Sequence, residues 1–306
     1  MSPRLIIGSR GSRLALWQAE QAKARLMDLN PGLEIQIDVI KTTGDVKSDP
    51  LSLIGGKGVF TKELEEALLD KRIDIAVHSL KDLPTIIPER LAISAICKRE
   101  DPRDALVLRT GSNATSLREL PEQSVVGTSS QRRLAQLKAL RNDLVIKDLR
   151  GNVDTRVRKL DEGQYDALIL ASAGLIRLGL RDRISGAIAT AEMLPAVCQG
   201  AIAIEIRADD EVTTTATSKL NHRETELACR AERAFLRSLG GGCQFPIAAH
   251  ATVEGQTLHL EGLVAHPQGE KIIRDRLSGA LDEAEGIGAT LAARLLERGA
   301  GDLLNA

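Results

Sequence analysis

The sequence predicts an α/β protein of two lobes with mainly parallel sheets, followed by a small α+β domain. Two observations predict the lobes. Over the first two hundred residues short β-rich runs alternate with apolar residues at helical spacing, and charged or proline-marked breaks interrupt this near residues 98–102 and at Pro195. A third predicts the appendage, because past about residue 219 alternating segments follow one another between two helical patterns. The length agrees: 306 residues are about twice a typical single domain.

Strands are expected at 5–8, 33–40, 73–77, 91–96, 105–108, 144–146, 167–171 and 201–206, where β-branched and leucine-rich runs are bounded by turn residues. Between the first two, Ala15, Leu16, Ala19, Ala22, Leu26 and Leu29 recur at helical spacing until Asn30-Pro31-Gly32 stops them. Phe60, Leu64, Ala67 and Leu68 mark a second helix, and Leu134, Leu137 and Leu140 a third. The run Lys98-Arg99-Glu100-Asp101-Pro102 is the expected crossing into the second lobe, with the return near Pro195. Residues 221–239 read as a helix closed by Gly240-Gly241-Gly242. Segments 247–253, 257–264 and 271–277 then alternate as an antiparallel sheet, and Ile287, Leu291 and Leu295 mark a last helix.

Composition narrows the function. A net charge of −1, with one Trp, one Tyr and three Phe to stack bases, argues against nucleic acid. No apolar run approaches the roughly 18 residues of a membrane span, and the N-terminus lacks a secretory pattern, so a cytoplasmic protein with no membrane partner is expected. Cys97, Cys198, Cys229 and Cys243 lie far apart without C-x-x-C, which argues for reduced thiols and against a zinc site. Arginine outnumbers lysine 28 to 13, and its planar fork suits carboxylate or phosphate, so a small polyanionic ligand is indicated.

Gly55-Gly56-Lys57-Gly58 departs from the Walker A pattern and reads as a glycine-rich loop ahead of a helix. His78-Ser79-Leu80-Lys81-Asp82 follows an apolar strand, so its polar groups emerge at a carboxyl end, where open α/β sheets place ligands. A Ser-His-Asp triad is a poor reading, because neighbours on an extended chain point to opposite faces and no G-x-S-x-G occurs. Asp82 is left as either a site carboxylate or a surface ion pair with Lys81. In Gly127-Thr128-Ser129-Ser130-Gln131-Arg132-Arg133 two cations stand in the first turn of a helix, opposing its dipole unless an anion sits there. Arg150 and Arg156 bracket Gly151-Asn152 at another such turn. Cys243 follows three glycines, on backbone open to approach by a large group, which suits attachment or nucleophilic chemistry as well as simple burial.

Several segments together resemble the porphobilinogen deaminase (hydroxymethylbilane synthase) family nearly end to end. They are Arg10-Gly11-Ser12-Arg13-Leu14-Ala15-Leu16-Trp17, Gly55-Gly56-Lys57-Gly58 with Phe60, Val77-His78-Ser79-Leu80-Lys81-Asp82-Leu83-Pro84, Arg99-Glu100-Asp101-Pro102-Arg103-Asp104, residues 126–133, Leu149-Arg150-Gly151-Asn152-Val153 and Gly241-Gly242-Cys243-Gln244. The resemblance implies two lobes like those of periplasmic binding proteins, with lobe 1 at 1–98 and 199–217, lobe 2 at 99–198, and a cofactor-attachment domain at 218–306. It implies a monomeric transferase of haem biosynthesis that joins four porphobilinogen molecules, each losing ammonia, into hydroxymethylbilane. A dipyrromethane cofactor held by a thioether to Cys243 would prime the chain, and no metal is called for.

By the same resemblance Asp82 is the catalytic carboxylate, and Lys81, Ser79, Thr128, Ser129, Arg132, Arg133 and Arg150 bind the cofactor. Arg10, Ser12, Arg156, Arg177, Gln199 and Lys57 hold substrate, whose acetate and propionate groups account for the arginines. Two positions depart from the family. Leu53 stands where a basic residue is frequent, and Cys198 stands where glycine is usual, so φ there is expected to be negative. A non-catalytic two-lobed small-anion-binding protein is the rival reading. An exported binding protein would need a signal segment, and it has no use for a cysteine on a triple-glycine loop.

Overall fold

The alternation read from the sequence sorts into three sheets. The computed structural model describes residues 4–42, 61–242 and 245–304, so Leu53, Lys57, the rest of the glycine loop, Phe60, Cys243 and Gln244 lie outside the described residues.

Strand β1 (Arg4–Ser9) leads to helix α1 (Arg13–Leu29), whose start is fixed by Ser12 accepting from Ala15 N at 3.3 Å. Next come β2 (Glu34–Val39), α2 (Lys62–Leu69), β3 (Ile75–Ser79) and β4 (Leu91–Ile96). The middle of the chain gives β5 (Asp104–Leu108), β6 (Val125–Gly127), α3 (Gln131–Leu140), β7 (Val145–Lys147) and α4 (Val153–Asp161). It continues through β8 (Ala167–Ala171), α5 (Ser172–Arg177) and β9 (Gly186–Ala187). Then follow β10 (Ile202–Arg207), α6 (Glu211–Thr217), α7 (Arg223–Ser238), β11 (Ile247–Glu254), β12 (Thr257–Ala265), β13 (Ile272–Ala280), α8 (Ala284–Glu297) and α9 (Ala300–Leu304).

The first sheet has the order β2-β1-β3-β10-β4, with β1 parallel to β2 and β3, and β10 antiparallel to both its neighbours. The second, β7-β6-β8-β5-β9, repeats the plan: β6 is parallel to β7 and β8, and the reversed strand is β5. The expected mainly parallel sheets are therefore present, each with one strand running backwards. The third sheet is the antiparallel meander β11-β12-β13.

Contacts divide the chain into two compact units, Met1–Arg99 with Ala201–Glu226, and Glu100–Gly200 with Leu227–Ala306. In the first, Ala19, Ala22 and Leu26 of α1 pack on Ile7, Ile75 and Val77, while Leu64, Ala67 and Leu68 of α2 cover Ile73 and Ala76 on the other face. Each fully buried leucine contributes roughly 1.5–3 kcal/mol. In the second, Leu137 of α3 packs with Leu106 and Ile169, whereas Val157 and Leu160 of α4 and Leu175 of α5 join Val107 and Leu168. Ala135 of α3 and Leu194 also pack with Ala248 of β11 and Leu263 of β12, so the meander belongs to the same unit as the second sheet.

Two features differ from expectation. The short β6 and β9 and the helices α5, α6 and α9 have no counterpart among the expected elements. Cys198 has φ +60° and is fully buried, against the negative φ expected there, so a cysteine occupies the left-handed backbone that glycine adopts without strain.

Candidate active site

In the first unit β1 and β3 run parallel in the register Gly8↔Ala76, so the turns that follow them emerge at the same sheet edge. That edge forms a cleft lined by Arg10, Ser12, Gln18, His78, Ser79 and Asp82 among others. Asp82 closes a short turn, Leu80–Asp82, and its side chain is exposed, while Lys81 in the same turn is half-buried. Gln18 Nε2 donates to Ser79 Oγ at 2.9 Å, fixing one wall. Behind the cleft, His78 Nε2 lies 2.9 Å from Glu205 Oε2, both side chains buried. Burial pushes the Glu65 carboxyl above its ordinary value, and the Glu205 carboxyl adds to the effect, partly offset by His78.

The second unit answers the question posed by two arginines at a helix start. Because β5 runs against β8 in the register Asp104↔Ala171, its first residue stands at the edge where β8 ends and α3 begins. Asp104 is fully buried there. Arg132 donates to it from Nη1 at 2.6 Å and Nη2 at 3.3 Å, Arg133 from Nε at 3.1 Å and Nη2 at 2.8 Å, and Gln199 from Nε2 at 2.9 Å. Backbone carbonyls take two further protons: Leu194 O accepts from Arg132 Nη1 at 2.8 Å, and Ile169 O from Arg133 Nη1 at 2.9 Å. Burial alone would raise the Asp104 carboxyl, but the two guanidiniums hold it well below the usual carboxylate range. Burial also pushes the Arg132 guanidinium down, with Asp104 opposing. It stays charged at neutral pH because arginine starts so far above it. The chain thus supplies its own anion to this helix start.

The neighbouring turn is built on a close approach. A Cβ on Gly127 would meet Leu168 Cδ2 at 2.7 Å and Tyr165 Cδ1 at 2.9 Å, so any other residue beneath Thr128 would have to displace those side chains. Thr128 Oγ1 accepts from Ser130 N at 3.2 Å, and Ser129 Oγ accepts from Leu149 N at 3.1 Å, tying the two arginine-bearing turns together. Arg150 Nε donates to Asp148 Oδ2 at 2.9 Å. Burial opposes it, yet the Ser129 hydroxyl and Arg150 hold the Asp148 carboxyl below its ordinary value. Arg156 Nε donates to Gly151 O at 2.7 Å and Arg177 Nη2 to Gly200 O at 2.6 Å.

The structure therefore gathers Arg10, Ser12, Ser79 and Asp82 on one cleft, Arg132, Arg133 and Gln199 on Asp104, and Ser129 with Arg150 on the Asp148 turn. Asp104, His78 and Glu205 were not among the expected site residues. For Asp104 a signal existed, since a carboxylate opening the otherwise wholly apolar run Asp104-Ala105-Leu106-Val107-Leu108 must find a buried partner.

A family model described as porphobilinogen deaminase, dipyromethane cofactor binding domain, matches residues 5–215, and one for the C-terminal domain of porphobilinogen deaminase matches residues 226–297. The chain belongs to the porphobilinogen deaminase family. A porphobilinogen deaminase of Chromobacterium violaceum is 51% identical over 304 residues, covering 99% of this chain and 97% of that protein. Among solved structures, the second substrate binding domain of a putative amino acid ABC transporter from Streptococcus pneumoniae is 13% identical at a TM-score of 0.44, covering 78% of this chain and 94% of that one. The L-cystine solute receptor of Neisseria gonorrhoeae is 11% identical at a TM-score of 0.41, covering 79% and 95%. As a porphobilinogen deaminase family member the chain is a transferase with a dipyrromethane cofactor-binding domain. Its donors suit that cofactor: arginines stand at two strand-to-helix turns, and Arg132 Nε is buried with no partner among the described residues, as a group awaiting an acidic side chain would be.

Proposed function

We propose that this chain condenses four porphobilinogen molecules head to tail into hydroxymethylbilane, with Asp82 as the catalytic carboxylate and Cys243 as the attachment point of dipyrromethane. The observation that carries this reading is the exposed Asp82 on the same cleft as Arg10 and Ser12, at the carboxyl ends of β1 and β3. When bound, dipyrromethane supplies the terminal pyrrole carbon to which the first substrate is joined.

Arg10, Ser12, Arg156, Arg177 and Lys57 hold the acetate and propionate of the incoming substrate; Gln199, expected beside them, gives its amide protons to Asp104 and Pro102 O and braces Asp104 instead. Lys81, Ser79, Thr128, Ser129, Arg132 and Arg150 hold the cofactor's carboxylates, with Arg133, expected among them, serving through its bonds to Asp104. Loss of ammonia leaves porphobilinogen as an azafulvene cation. A carboxylate beside its ring nitrogen stabilises charge that exists only near the transition state, which raises turnover rather than binding. In this reading Asp82 also accepts the ring proton displaced when the new carbon–carbon bond forms. This reading takes the chain to work in the cytoplasm as a monomer; among the described residues no helix is long and apolar enough to cross a membrane.

Intact-protein mass tests attachment. The wild type should exceed its sequence mass by a two-pyrrole adduct that gives a pink-red colour with Ehrlich's reagent, and Cys243→Ser should lack it. An adduct that persists in this variant, or that maps to Cys97, Cys198 or Cys229, overturns the assignment. Steady-state rates test the chemistry. Asp82→Asn should lose several decades of turnover and Asp82→Glu, which keeps the charge but misplaces it, should lose less; the reverse order would return Asp82 to an ordinary surface ion pair.

A further inference from the structure

A guanidinium has two forked edges, one formed by its two Nη groups and one by Nε with Nη2. Asp104 occupies the first edge of Arg132, taking Nη1 on Oδ2 at 2.6 Å and Nη2 on Oδ1 at 3.3 Å, and Leu194 O takes the remaining Nη1 proton. The second edge is different. Arg132 is buried, and its Nε–H has no partner among the described residues. A buried donor without an acceptor is costly, and the side chain around it is too firmly held to turn toward one.

Arg133 is fastened the other way round. Its Nε and Nη2 both donate to Asp104 Oδ1 and its Nη1 to Ile169 O, so its charge is directed at Asp104. Gln199 Nε2 bonds both Asp104 Oδ1 and Pro102 O, at 2.9 and 2.8 Å, which fixes the carboxylate from the far end of the segment Glu100–Gly200. Two guanidiniums and one carboxylate leave a surplus of one positive charge in a buried place. The open edge and the surplus charge call for the same partner, one more carboxylate.

We propose that Asp104 is the positioning residue of cofactor recognition in this unit: it turns Arg132 so that the Nε edge, with the cluster's surplus charge, takes one carboxylate of the dipyrromethane, while Arg133 and Gln199 hold Asp104 in place. This rests on the dipyrromethane reading above. Asp104 touches neither substrate nor cofactor and acts through Arg132. Without it Arg132 keeps its charge but loses its orientation.

The test uses full-length cofactor-free protein incubated with porphobilinogen, with adduct formation followed by intact mass on the folded fraction collected by size exclusion. The wild type should acquire the two-pyrrole adduct. Asp104→Asn should acquire it at least about tenfold more slowly, the loss expected for one displaced charge-assisted pair. Asp104→Glu, which keeps the charge but moves the oxygens by one methylene, should fall between, and it decides the matter if the Asn variant does not fold. In molecules that do load, kcat for porphobilinogen should fall while KM stays unchanged. A lower melting temperature with wild-type adduct formation and wild-type kcat in both variants would make Asp104 a structural ion-pair partner and overturn the proposal alone. No adduct in the wild type would overturn the proposed function and this inference with it.

Discussion

At the scale of single residues, Cys198 shows what a sequence conceals. Nothing in the residues around it announces the φ of +60° that it adopts in a fully buried turn. The neighbouring contacts make the turn hold nonetheless. Cys198 N donates to Glu232 Oε2 at 2.5 Å, and the other oxygen of that buried carboxylate accepts from Ala251 N at 2.8 Å. Substituting Cys198 by Ala keeps the strained backbone, whereas Gly relieves it. Cys198→Gly should therefore exceed Cys198→Ala in stability by about 1 kcal/mol in urea unfolding. Equal midpoints would mean that the turn relaxes around any side chain. Asp104 announces its burial by opening an apolar strand, but not its partners, which lie 28, 29 and 95 residues away where no local pattern encodes the pairing. Asp82, by contrast, stands right behind the strand that exposes it, so its position could be read from five consecutive residues.

At the scale of elements, long amphipathic segments were legible and short ones were not. Helix α1 and the meander β11 to β13 follow from periodicity because they bury one face over many residues. Strand β6 is only Val125–Gly127, too short to alternate, and α6 reads Glu-Val-Thr-Thr-Thr-Ala-Thr, a β-branched run with weak helical preference that is nevertheless helical, started by Asp210 accepting from Thr213 N. Helix α3 carries its own pH dependence. The carboxyl of Asp104 titrates below its ordinary value of 3.8 in the folded chain, so the stabilisation it lends to the start of α3 is complete above that value and fades as pH falls beneath it. The gap in unfolding free energy between wild type and Asp104→Asn should therefore be constant near neutrality and narrow below about pH 4. A gap that stays constant down to about pH 2 would show that Asp104 is not the anion that holds the two arginines.

At the scale of the whole molecule, both large sheets were legible as a class, but the reversed strand in each was not, because direction within a sheet is a property of the chain path and not of composition. In the first sheet that strand, β10, is buried along its whole length and hydrogen-bonds to β3 on one side and β4 on the other. Neither neighbour pairs with the other directly. In refolding followed by pulsed hydrogen exchange, amides of β3, β4 and β10 should therefore gain protection in one phase; protection of the β3–β4 region ahead of β10 would contradict this. The same arrangement has a consequence during synthesis. At about 5–20 residues per second, β10 leaves the ribosome roughly 5–20 s after β4. Throughout that interval the nascent chain carries two apolar strands with bare edges, a template for pairing with other chains, while residues 100–200 emerge to form a sheet of their own. The second sheet can thus close before the first although the first opens the chain, and the stretch from Ile75 to Ile96 is where a chaperone has most to protect in that interval.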